Sequence, residues 1–334
     1  MALLPVSESM LSGVLSRYPL PNARVVDVLQ ASKRNDNFVV EDASGHRYVL
    51  RRYRRNNHEA RVRFQLNFQQ HLESSGFPTA KIMKTVSDDV LVVEEGAPWA
   101  LFTFIEGTEY DFSRIGQVVE AARRLAQFHA VAESFPHPEV VITYSQMPDW
   151  WTDAEKELHT LDEFFAGMGV DSELARVREF VAELLHEWPR ERNAALRPTW
   201  VHGDYHGRNM VFVGDEVRGL FDFDVVHRGF RVEDIYMAIF MFGRQYRGSH
   251  VIRPDVAKAF LEEYARNTDL RQEELEALPV FAGLERAPLA SYYVMLQQDG
   301  EDPVSYLRSH IETMLAMRSE MKRIAPLLRG CLSR

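Results

Sequence analysis

Three side chains with oxygen donors follow one another in the central part of the chain. Asp204 and Asn209 lie in a polar loop, and Asp222 comes directly after a short apolar run. Carboxylate and amide oxygens are hard ligands. Two carboxylates and one amide suit a Mg²⁺ ion that keeps waters and phosphate oxygens in its coordination shell. These residue types therefore indicate a magnesium site at which a phosphate group could bind.

A β-hairpin is the element that would bring these side chains together. Two apolar runs, 210–213 and 217–221, flank a turn at 214–216 that reads Gly-Asp-Glu. This pattern is typical of two antiparallel strands. A hairpin places the start of its first strand beside the end of its second strand. We therefore predict that the three oxygen donors converge at one end of a small sheet.

Length, charge and cysteine content narrow the class of protein. A chain of 334 residues is long enough for two domains, and a net charge of -10 argues against nucleic acid as the main partner. The single Cys331 excludes an intramolecular disulfide. No apolar run reaches about 18 residues, and residues 1–20 lack the basic start of a signal peptide. We therefore expect a cytoplasmic protein without a membrane partner.

The N-terminal part of the chain has the alternating pattern of β-strands. We predict a five-stranded antiparallel sheet with one inserted helix, preceded by a short amphipathic helix at 7–18. The inserted helix is predicted at 59–74, where apolar residues recur at near-helical spacing and Gly-Phe-Pro follows. The strand-like segments are 23–29, 38–41, 46–53, 81–86, 90–94 and 99–105.

The rest of the chain is predicted to be mostly helical. We expect an α+β fold with two lobes, a small antiparallel sheet lobe at 1–105 and a larger helical lobe at 106–334. The cleft between two such lobes is a common place for a ligand. The predicted helical segments are 112–132, 171–188, 232–242, 254–267, 273–298 and 303–325.

The central motif resembles that of a known family. Residues 202–209 read His-Gly-Asp-Tyr-His-Gly-Arg-Asn, and Phe-Asp-Phe follows at 221–223. This combination resembles the aminoglycoside phosphotransferase and choline kinase family, whose members are small-molecule relatives of protein kinases. Leu-Ala-Gln-Phe-His at 125–129 and Arg-Val-Glu-Asp-Ile at 231–235 are similar to two further elements of that family. The resemblance implies a two-lobed, protein-kinase-like fold.

The resemblance also implies an activity and a role for each oxygen donor. It implies transfer of the γ-phosphate of ATP (or GTP) to a hydroxyl group of a small molecule, such as an amino alcohol, homoserine, a sugar or an aminoglycoside. Asp204 would be the catalytic base that orients the acceptor hydroxyl and takes its proton late, because a free Asp is a weak base at pH 7. Asn209 and Asp222 would hold Mg²⁺ against the nucleotide phosphates, because phosphoryl transfer depends on positioning and on neutralising charge.

The family's phosphate-binding Lys has no counterpart in this sequence. Arg51 occupies the third-strand position where the family usually has that Lys. Arg also carries a positive charge and can bind phosphate through two hydrogen bonds, although the two side chains are not interchangeable. The helical Glu that usually pairs with the Lys aligns with Gln65, and Glu59 could replace it. The resemblance thus assigns nucleotide binding to Arg51 and leaves its partner open.

Two further segments are implied to contact the nucleotide. The phosphate loop corresponds to 30–37, which contains no glycine and ends at Asn37. Its backbone amides could still bind a phosphate, so Asn37 is a candidate contact. The base would lie against the connector between the lobes, where Phe104 and Glu106 are the candidate contacts.

Several residues near the motif are interpreted as supporting residues. His202 and His206 have a spacing that could suggest zinc, but the glycines around them make a helix unlikely. His202 is therefore interpreted as a residue that hydrogen-bonds the loop backbone. Asp224 either stabilises the loop or lies near the metal or the acceptor. Asp234 is predicted to hydrogen-bond the catalytic loop, and His129 to be a core histidine.

The acceptor would bind on the helical lobe near the catalytic Asp, where segments at 140–190 and 227–300 could shape a pocket. Trp150, Trp151 and Tyr144 either line this pocket or pack in the core or on the surface.

A non-catalytic binding or structural protein with the same fold is the competing interpretation. The glycine-free loop and the missing Lys–Glu pair support it, whereas the complete set of oxygen donors opposes it. A protein kinase acting on polypeptides is disfavoured, because the chain has no His-Arg-Asp, Asp-Phe-Gly or Ala-Pro-Glu segment.

Overall fold

The computed structural model describes residues 6–29, 35–54, 58–136 and 149–332. The chain divides into two units. The sheet unit comprises 1–110, 130–144 and 208–226, and the helical unit comprises 111–129, 145–207 and 227–334. The lobe boundary between residues 105 and 106 stays a prediction.

An antiparallel sheet is the main element of the sheet unit. Its strands and the two helices beside them are α1 (Glu8–Leu15), β1 (Arg24–Leu29), β2 (Asn35–Glu41), β3 (Arg47–Tyr53), α2 (Glu59–Ser74), β4 (Ile82–Met83), β5 (Val92–Glu94) and β6 (Ala97–Thr103). The order is β1-β2-β3-β6-β4, and β5 also pairs with β6. The described sheet thus has six strands, and the prediction of five was wrong. One edge of β6 pairs with β3, and its other edge accommodates both β4 and β5.

Helices α1 and α2 belong to two different apolar clusters of this sheet. The α1 cluster includes Leu50 and Trp99, whereas the α2 cluster includes Ala100. Successive side chains of a strand point to opposite faces, which explains why neighbours on β6 are divided between the clusters. Arg51 follows Leu50 on β3, so it lies on the face that contacts α2.

The remaining strands form two small antiparallel pairs. They are β7 (Pro198–Val201), β8 (Met210–Val213), β9 (Glu216–Leu220) and β10 (His227–Phe230). β8 and β9 form the predicted hairpin in the sheet unit, with Met210 paired to Leu220. Its turn contains Gly214 at φ +63°, a left-handed conformation that glycine adopts without strain. β7 and β10 pair in the helical unit.

Helices make up most of the helical unit. They are α3 (Ile115–Ala132), whose last residues belong to the sheet unit, α4 (Trp150–Phe165), α5 (Asp171–Glu187), α6 (Val232–Gly243), α7 (Pro254–Arg266), α8 (Gln272–Glu285), α9 (Ala290–Gln298) and α10 (Pro303–Leu328). The predicted segment at 273–298 is two helices. No helix in the described part of the chain is long and apolar enough to cross a membrane.

Helix α4 was not predicted from the sequence. Its first residue, Trp150, is completely buried. Trp151 donates its indole N–H to the carbonyl of Trp188 at 2.8 Å, and its ring lies 5.7 Å from that of Phe281. These contacts are packing contacts, as one of the two interpretations expected. Tyr144 lies outside the described residues.

Candidate active site

The loop after β7 is held by a buried carboxylate. Asp234, in the first turn of α6, accepts the backbone N–H of His202 at 2.8 Å and that of Gly203 at 2.9 Å. Gly203 has φ +76°, which places both N–H groups in a turn that favours glycine. The sequence predicted this role for Asp234, and these hydrogen bonds bear it out.

Asp234 is ionised although it is completely buried. Burial alone would raise its pKa. The hydrogen bond and positive potential of His129, with further contributions from His202, outweigh burial and lower the pKa of Asp234. Nε2 of His129 lies 3.1 Å from Oδ2 of Asp234, and its Nδ1 lies 2.8 Å from the hydroxyl of Tyr264. His129 is therefore a core histidine that supports the loop.

Asp204 lies at the tip of this loop, between two histidines. Its backbone N–H donates to Nδ1 of His202 at 3.2 Å, and its Oδ1 lies 3.1 Å from Nε2 of His206. The Asp204 side chain is 37% exposed, whereas His202 and His206 are buried. Buried Tyr205 donates its hydroxyl to the carbonyl of Ala121 at 2.7 Å. The loop thus presents one accessible carboxylate on a rigid base.

The open end of the β8–β9 hairpin carries the other two oxygen donors. The backbone N–H of Phe221 donates to the carbonyl of Asn209 at 2.9 Å, so Asn209 and Asp222 flank the same end of the hairpin in the sheet unit. Asp222 has φ +64°, a left-handed conformation that is strained for a residue with a β-carbon. Because Asp204 belongs to the helical unit, its convergence with these two donors stays a prediction.

Arg51 and two acidic residues form the charged part of the sheet unit. Nη1 of Arg51 lies 3.9 Å from Oδ1 of Asp222 and 3.8 Å from Oδ1 of Asp224. Nε of Arg51 donates to Oδ1 of Asn37 at 3.0 Å. Burial alone would lower the pKa of Arg51, but Tyr53 and the two carboxylates raise it above its ordinary value. Arg51 and Asn37, assigned separately from the sequence, are thus direct neighbours.

Asp224 is the most strongly held acid of this group. Its side chain is buried, and Nδ2 of Asn35 donates to its Oδ2 at 3.0 Å. Its carbonyl accepts from Arg61 at 3.0 Å and from Gln65 at 3.4 Å. Its two side-chain contacts therefore place Asp224 beside the phosphate-binding candidates rather than in a solvated loop.

Neither of the two residues that the sequence suggested is the partner of Arg51. Gln65 contacts the backbone of Asp224, and Glu59 pairs with Arg63 at 2.9 Å. Among the described residues, neither Gln65 nor Glu59 forms an ion pair or hydrogen bond with Arg51, whose anionic partners are Asp222 and Asp224. The spacing along α2 could not indicate this, because Asp224 comes from a distant part of the chain.

A cavity of about 330 Å³ opens beside this charged group within the sheet unit. Arg51, Asn37 and Asp222 contribute polar atoms to its wall, and its apolar lining includes Leu29, Val49, Ala80, Phe102, Ile105, Val211 and Phe221. The cavity therefore combines apolar walls with a small group of charged and amide side chains, as ligand sites commonly do.

The connector at 104–107 also lines the cavity. A β-carbon on Gly107 would lie 2.3 Å from Cγ1 of Val211, so only glycine fits there. The guanidinium of Arg47 lies 4.1 Å from the ring centre of Phe104 and pairs with Glu106 at 2.9 Å. The Glu106 side chain is 74% exposed. Glu106 lines the cavity, and its carboxylate is paired with Arg47.

The donor set at the hairpin end fits Mg²⁺ better than a metal that needs many protein ligands. Within the described residues, no group of three or more His, Cys, Asp and Glu side chains could hold a metal ion. Asn209 and Asp222 offer one amide and one carboxylate. Mg²⁺ usually binds one or two carboxylates together with waters and substrate phosphates. Two protein side chains are therefore enough for a Mg²⁺ ion whose other ligands are waters and phosphate oxygens.

Part of the site gave no signal in the sequence. Asn35 and Arg61, which hold Asp224, could have been found only from the strand pairing and the helix face. The predicted phosphate loop is partly strand, since β2 begins at Asn35, and residues 30–34 of that loop lie outside the described residues.

Comparisons with known proteins show a family and relatives of this chain. A family model described as "Phosphotransferase enzyme family" matches residues 27–278. A homoserine kinase of Rhizobium meliloti (strain 1021) is 25% identical over 279 residues, which cover 83% of this chain and 81% of that protein. An aminoglycoside phosphotransferase from Alicyclobacillus acidocaldarius subsp. acidocaldarius DSM 446 has a TM-score of 0.68 at 18% identity, covering 99% and 98% of the two chains.

A second solved structure with a similar fold contains bound ligands. The amicoumacin kinase hAmiN, solved with AMP-PNP, Ca²⁺ and Ami, has a TM-score of 0.68 at 17% identity, covering 97% of this chain and 96% of that chain. These likenesses confirm the predicted protein-kinase-like fold with its small antiparallel sheet and many helices.

Proposed function

Because the chain belongs to the phosphotransferase enzyme family, we propose that it is an ATP-dependent (or GTP-dependent) kinase that phosphorylates a hydroxyl group of a small molecule. The observation that carries the proposal is the group of Arg51, Asn37 and Asp222 in the wall of an otherwise largely apolar cavity. Apolar walls suit a nucleotide base, and the polar group suits its phosphates and their metal ion.

The sheet unit binds the nucleotide in this proposal. Asn209 and Asp222 hold Mg²⁺, which supplies positive charge to the phosphates. Arg51 binds a phosphate through its Nη atoms while Asn37 fixes its Nε. The backbone of the connector at 104–107 contacts the base edge, and Phe104 borders it. All these residues belong to one unit, and all of them except Asn209 line one cavity, which supports the assignment.

The helical unit supplies the group that acts on the acceptor. Asp204 accepts a hydrogen bond from the acceptor hydroxyl, orients it towards the γ-phosphate and takes its proton late. Two contacts prepare it for this role. His206 holds Oδ1 of Asp204, and Asp234 fixes the loop backbone. A rigid loop avoids much of the entropy that positioning would otherwise cost.

Nucleotide binding is tested first, by thermal-shift melting with Mg²⁺ and a panel of nucleotides. A nucleotide present at about 100 times its Kd should add roughly 2.7 kcal/mol to the free energy of unfolding. Asp222→Asn should reduce this stabilisation, whereas Asp171→Asn, at an exposed helix start, should not. The absence of a shift with every nucleotide would rule out the proposed kinase.

Turnover is tested by coupled ADP release with hydroxyl-bearing acceptors. Asp204→Asn should remove turnover and keep nucleotide binding, because it leaves the sheet unit unchanged. Loss of nucleotide binding in that variant would show that its role is misassigned. The competing interpretation, a non-catalytic protein of the same fold, predicts nucleotide binding without ADP release for any acceptor.

A further inference from the structure

Gln69 on α2 contributes an amide group to the wall of the cavity in the sheet unit. The residue is buried, with 7% of its surface exposed. Its Nε2 donates to the carbonyl of Ala80 at 2.8 Å. Because a carbonyl oxygen can only accept, the NH₂ group is the end of the amide that faces Ala80. The orientation of the amide is therefore fixed by its neighbour.

Two hydrogen-bonding groups of this amide are left for a ligand. Among the described residues, Oε1 of Gln69 accepts no hydrogen bond, and the bond to Ala80 uses only one of the two N–H groups of Nε2. Buried polar groups usually have partners, and leaving them without one costs stability. Because Gln69 borders the cavity, a ligand bound there could supply both partners.

The other polar side chains of the described cavity wall have partners within the sheet unit. Some of them form the charged group, which is assigned to the phosphates and the metal ion. Glu106 is paired with Arg47, and Oγ1 of Thr103 accepts the backbone N–H of Lys81 at 3.0 Å. Gln69 is therefore the candidate for a polar side-chain contact with the base.

Helix α2 places Gln69 away from the charged group. Gln65, one turn earlier on the same face, donates to the carbonyl of Asp224 at 3.4 Å, and Asp224 lies beside Arg51. Four residues of an α-helix span about 6 Å, so Gln69 lies that much further along α2. Ala80, its hydrogen-bond partner, belongs to the apolar α2 cluster. These surroundings suit a base better than a phosphate.

We propose that Gln69 selects adenine nucleotides over guanine nucleotides, by pairing its side-chain amide with N6 and N7 of the adenine base. This inference rests on the proposed kinase function and names its nucleotide. Adenine presents a donor at N6 and an acceptor at N7, and a glutamine amide matches both with Oε1 and Nε2. Guanine presents acceptors at both O6 and N7, so Oε1 would face another acceptor.

The contact with Ala80 gives this selection its direction. An amide that could flip by 180° would offer either a donor or an acceptor at the same point, and it would accept either purine. Flipping Gln69 would place Oε1 against the carbonyl of Ala80, where two acceptors repel each other. The fixed amide thus combines attraction for one purine with repulsion of the other.

Nucleotide analogues test the contact without any substitution. 7-Deaza-ATP has a C–H group in place of N7 and keeps N1 and N6, so contacts of that edge with the connector are unchanged. Isothermal titration calorimetry measures binding of the Mg²⁺ complexes of ATP, 7-deaza-ATP and GTP without an acceptor. We expect ATP to bind about 10-fold more tightly than 7-deaza-ATP and on the order of 100-fold more tightly than GTP. Equal binding of ATP and 7-deaza-ATP would overturn the proposal.

A variant of Gln69 shows whether this residue sets the preference. Gln69→Met keeps the length of the side chain and removes both polar groups, so ATP and 7-deaza-ATP should bind equally. The preference for ATP over GTP should fall by roughly 10- to 100-fold. Gln70→Met, at a partly buried glutamine of α2 outside the cavity wall, is the control and should keep both preferences. Unchanged preferences in Gln69→Met, with folding checked by urea denaturation, would rule out the assignment.

The same titrations separate failure of this inference from failure of the proposed function. If no nucleotide binds, the proposed kinase function is wrong and the selection fails with it. If nucleotides bind with no preference for the base, the assignment of Gln69 is wrong and the kinase proposal stands. The comparison of ATP with 7-deaza-ATP uses the unsubstituted chain, so it decides the question even if Gln69→Met, which leaves the carbonyl of Ala80 without its donor, does not fold.

Discussion

Asp234→Asn is the substitution that most directly tests how the catalytic loop is held. The carboxylate of Asp234 accepts two backbone N–H groups and lies against His129. An amide of the same shape keeps one oxygen and replaces the other by an NH₂ group, which is a donor. One buried N–H group would then face a donor and lose its partner.

The expected cost follows from these contacts. A hydrogen bond to a charged group contributes about 1.5–3 kcal/mol, and a buried donor left without a partner costs about 1–3 kcal/mol more. Because Asp234 is completely buried, solvent cannot replace the lost acceptor. We therefore expect the free energy of unfolding to fall by about 3–5 kcal/mol, a large part of the ordinary stability of a domain.

Urea denaturation of Asp234→Asn measures this loss, and Asp255→Asn is the matched control. Asp255 is also an acid in the first turn of a helix, but it is exposed, so its loss should cost less than about 1 kcal/mol. Turnover should fall as well, because Asp204 would lose its fixed position. A stability loss in Asp234→Asn no larger than that of the control would refute the reasoning.

pH provides a second readout for the same residue. The pKa of Asp234 is lowered in the folded protein. The unfolded chain therefore binds the proton more readily, and the stabilisation is present above the unfolded pKa of about 3.9 and lost as pH falls through the folded pKa. Asp234→Asn should remove this contribution to acid denaturation. If the free energy of unfolding of the variant fell with decreasing pH as steeply as that of the original protein, the lowered pKa of Asp234 would be contradicted.

Three further substitutions test other parts of the two units. Gly107→Ala should destabilise the protein by about 1–3 kcal/mol in urea denaturation, because the added carbon overlaps Val211, whereas Gly13→Ala, in open space within α1, should be neutral or stabilising. Arg51→Met should weaken nucleotide binding in calorimetry by roughly 10- to 100-fold, and Arg54→Met should not. The pKa of His310 is about 4 in the folded protein, because burial lowers it from the ordinary value of 6.5 that applies to the unfolded chain. The free energy of unfolding should therefore rise by up to about 3 kcal/mol as pH increases from about 4 to about 6.5. His310→Gln should abolish this rise.

Local patterns predicted the secondary structure around the site well. The hairpin and most helices have strong periodicity and clear turn residues, and α2 has the predicted bounds. The start of β2 was missed because Asn35 and Asn37 are polar and were assigned to a loop. They are alternate residues of one strand, and both face the charged group. A strand that borders a polar site is polar on that face, so a hydrophobic pattern cannot reveal it.

Contacts between residues far apart in the chain could not be predicted from the sequence. The family pattern suggested that the partner of Arg51 lies on α2, whereas Asp224 comes from the turn after the hairpin. Asn35 and Arg61, which contact Asp224, gave no signal either, because their positions depend on strand pairing and on the face of α2. Short motifs identify the candidate oxygen donors, whereas the residues that hold them in place are determined by packing.

The choice of arginine at position 51 follows from its surroundings. Arg51 uses Nε to bind Asn37 while Nη1 lies near both Asp222 and Asp224. A lysine has only one donor nitrogen, so it could not place separate nitrogens against Asn37 and against the two carboxylates. The two carboxylates beside Nη1 repel the phosphates of a nucleotide that arrives without a metal ion. Positive charge from Mg²⁺ bound by Asp222 would remove that opposition and release Nη1 for a phosphate. Metal and nucleotide should therefore strengthen each other's binding, and thermodynamic linkage requires the coupling to be equal in both directions.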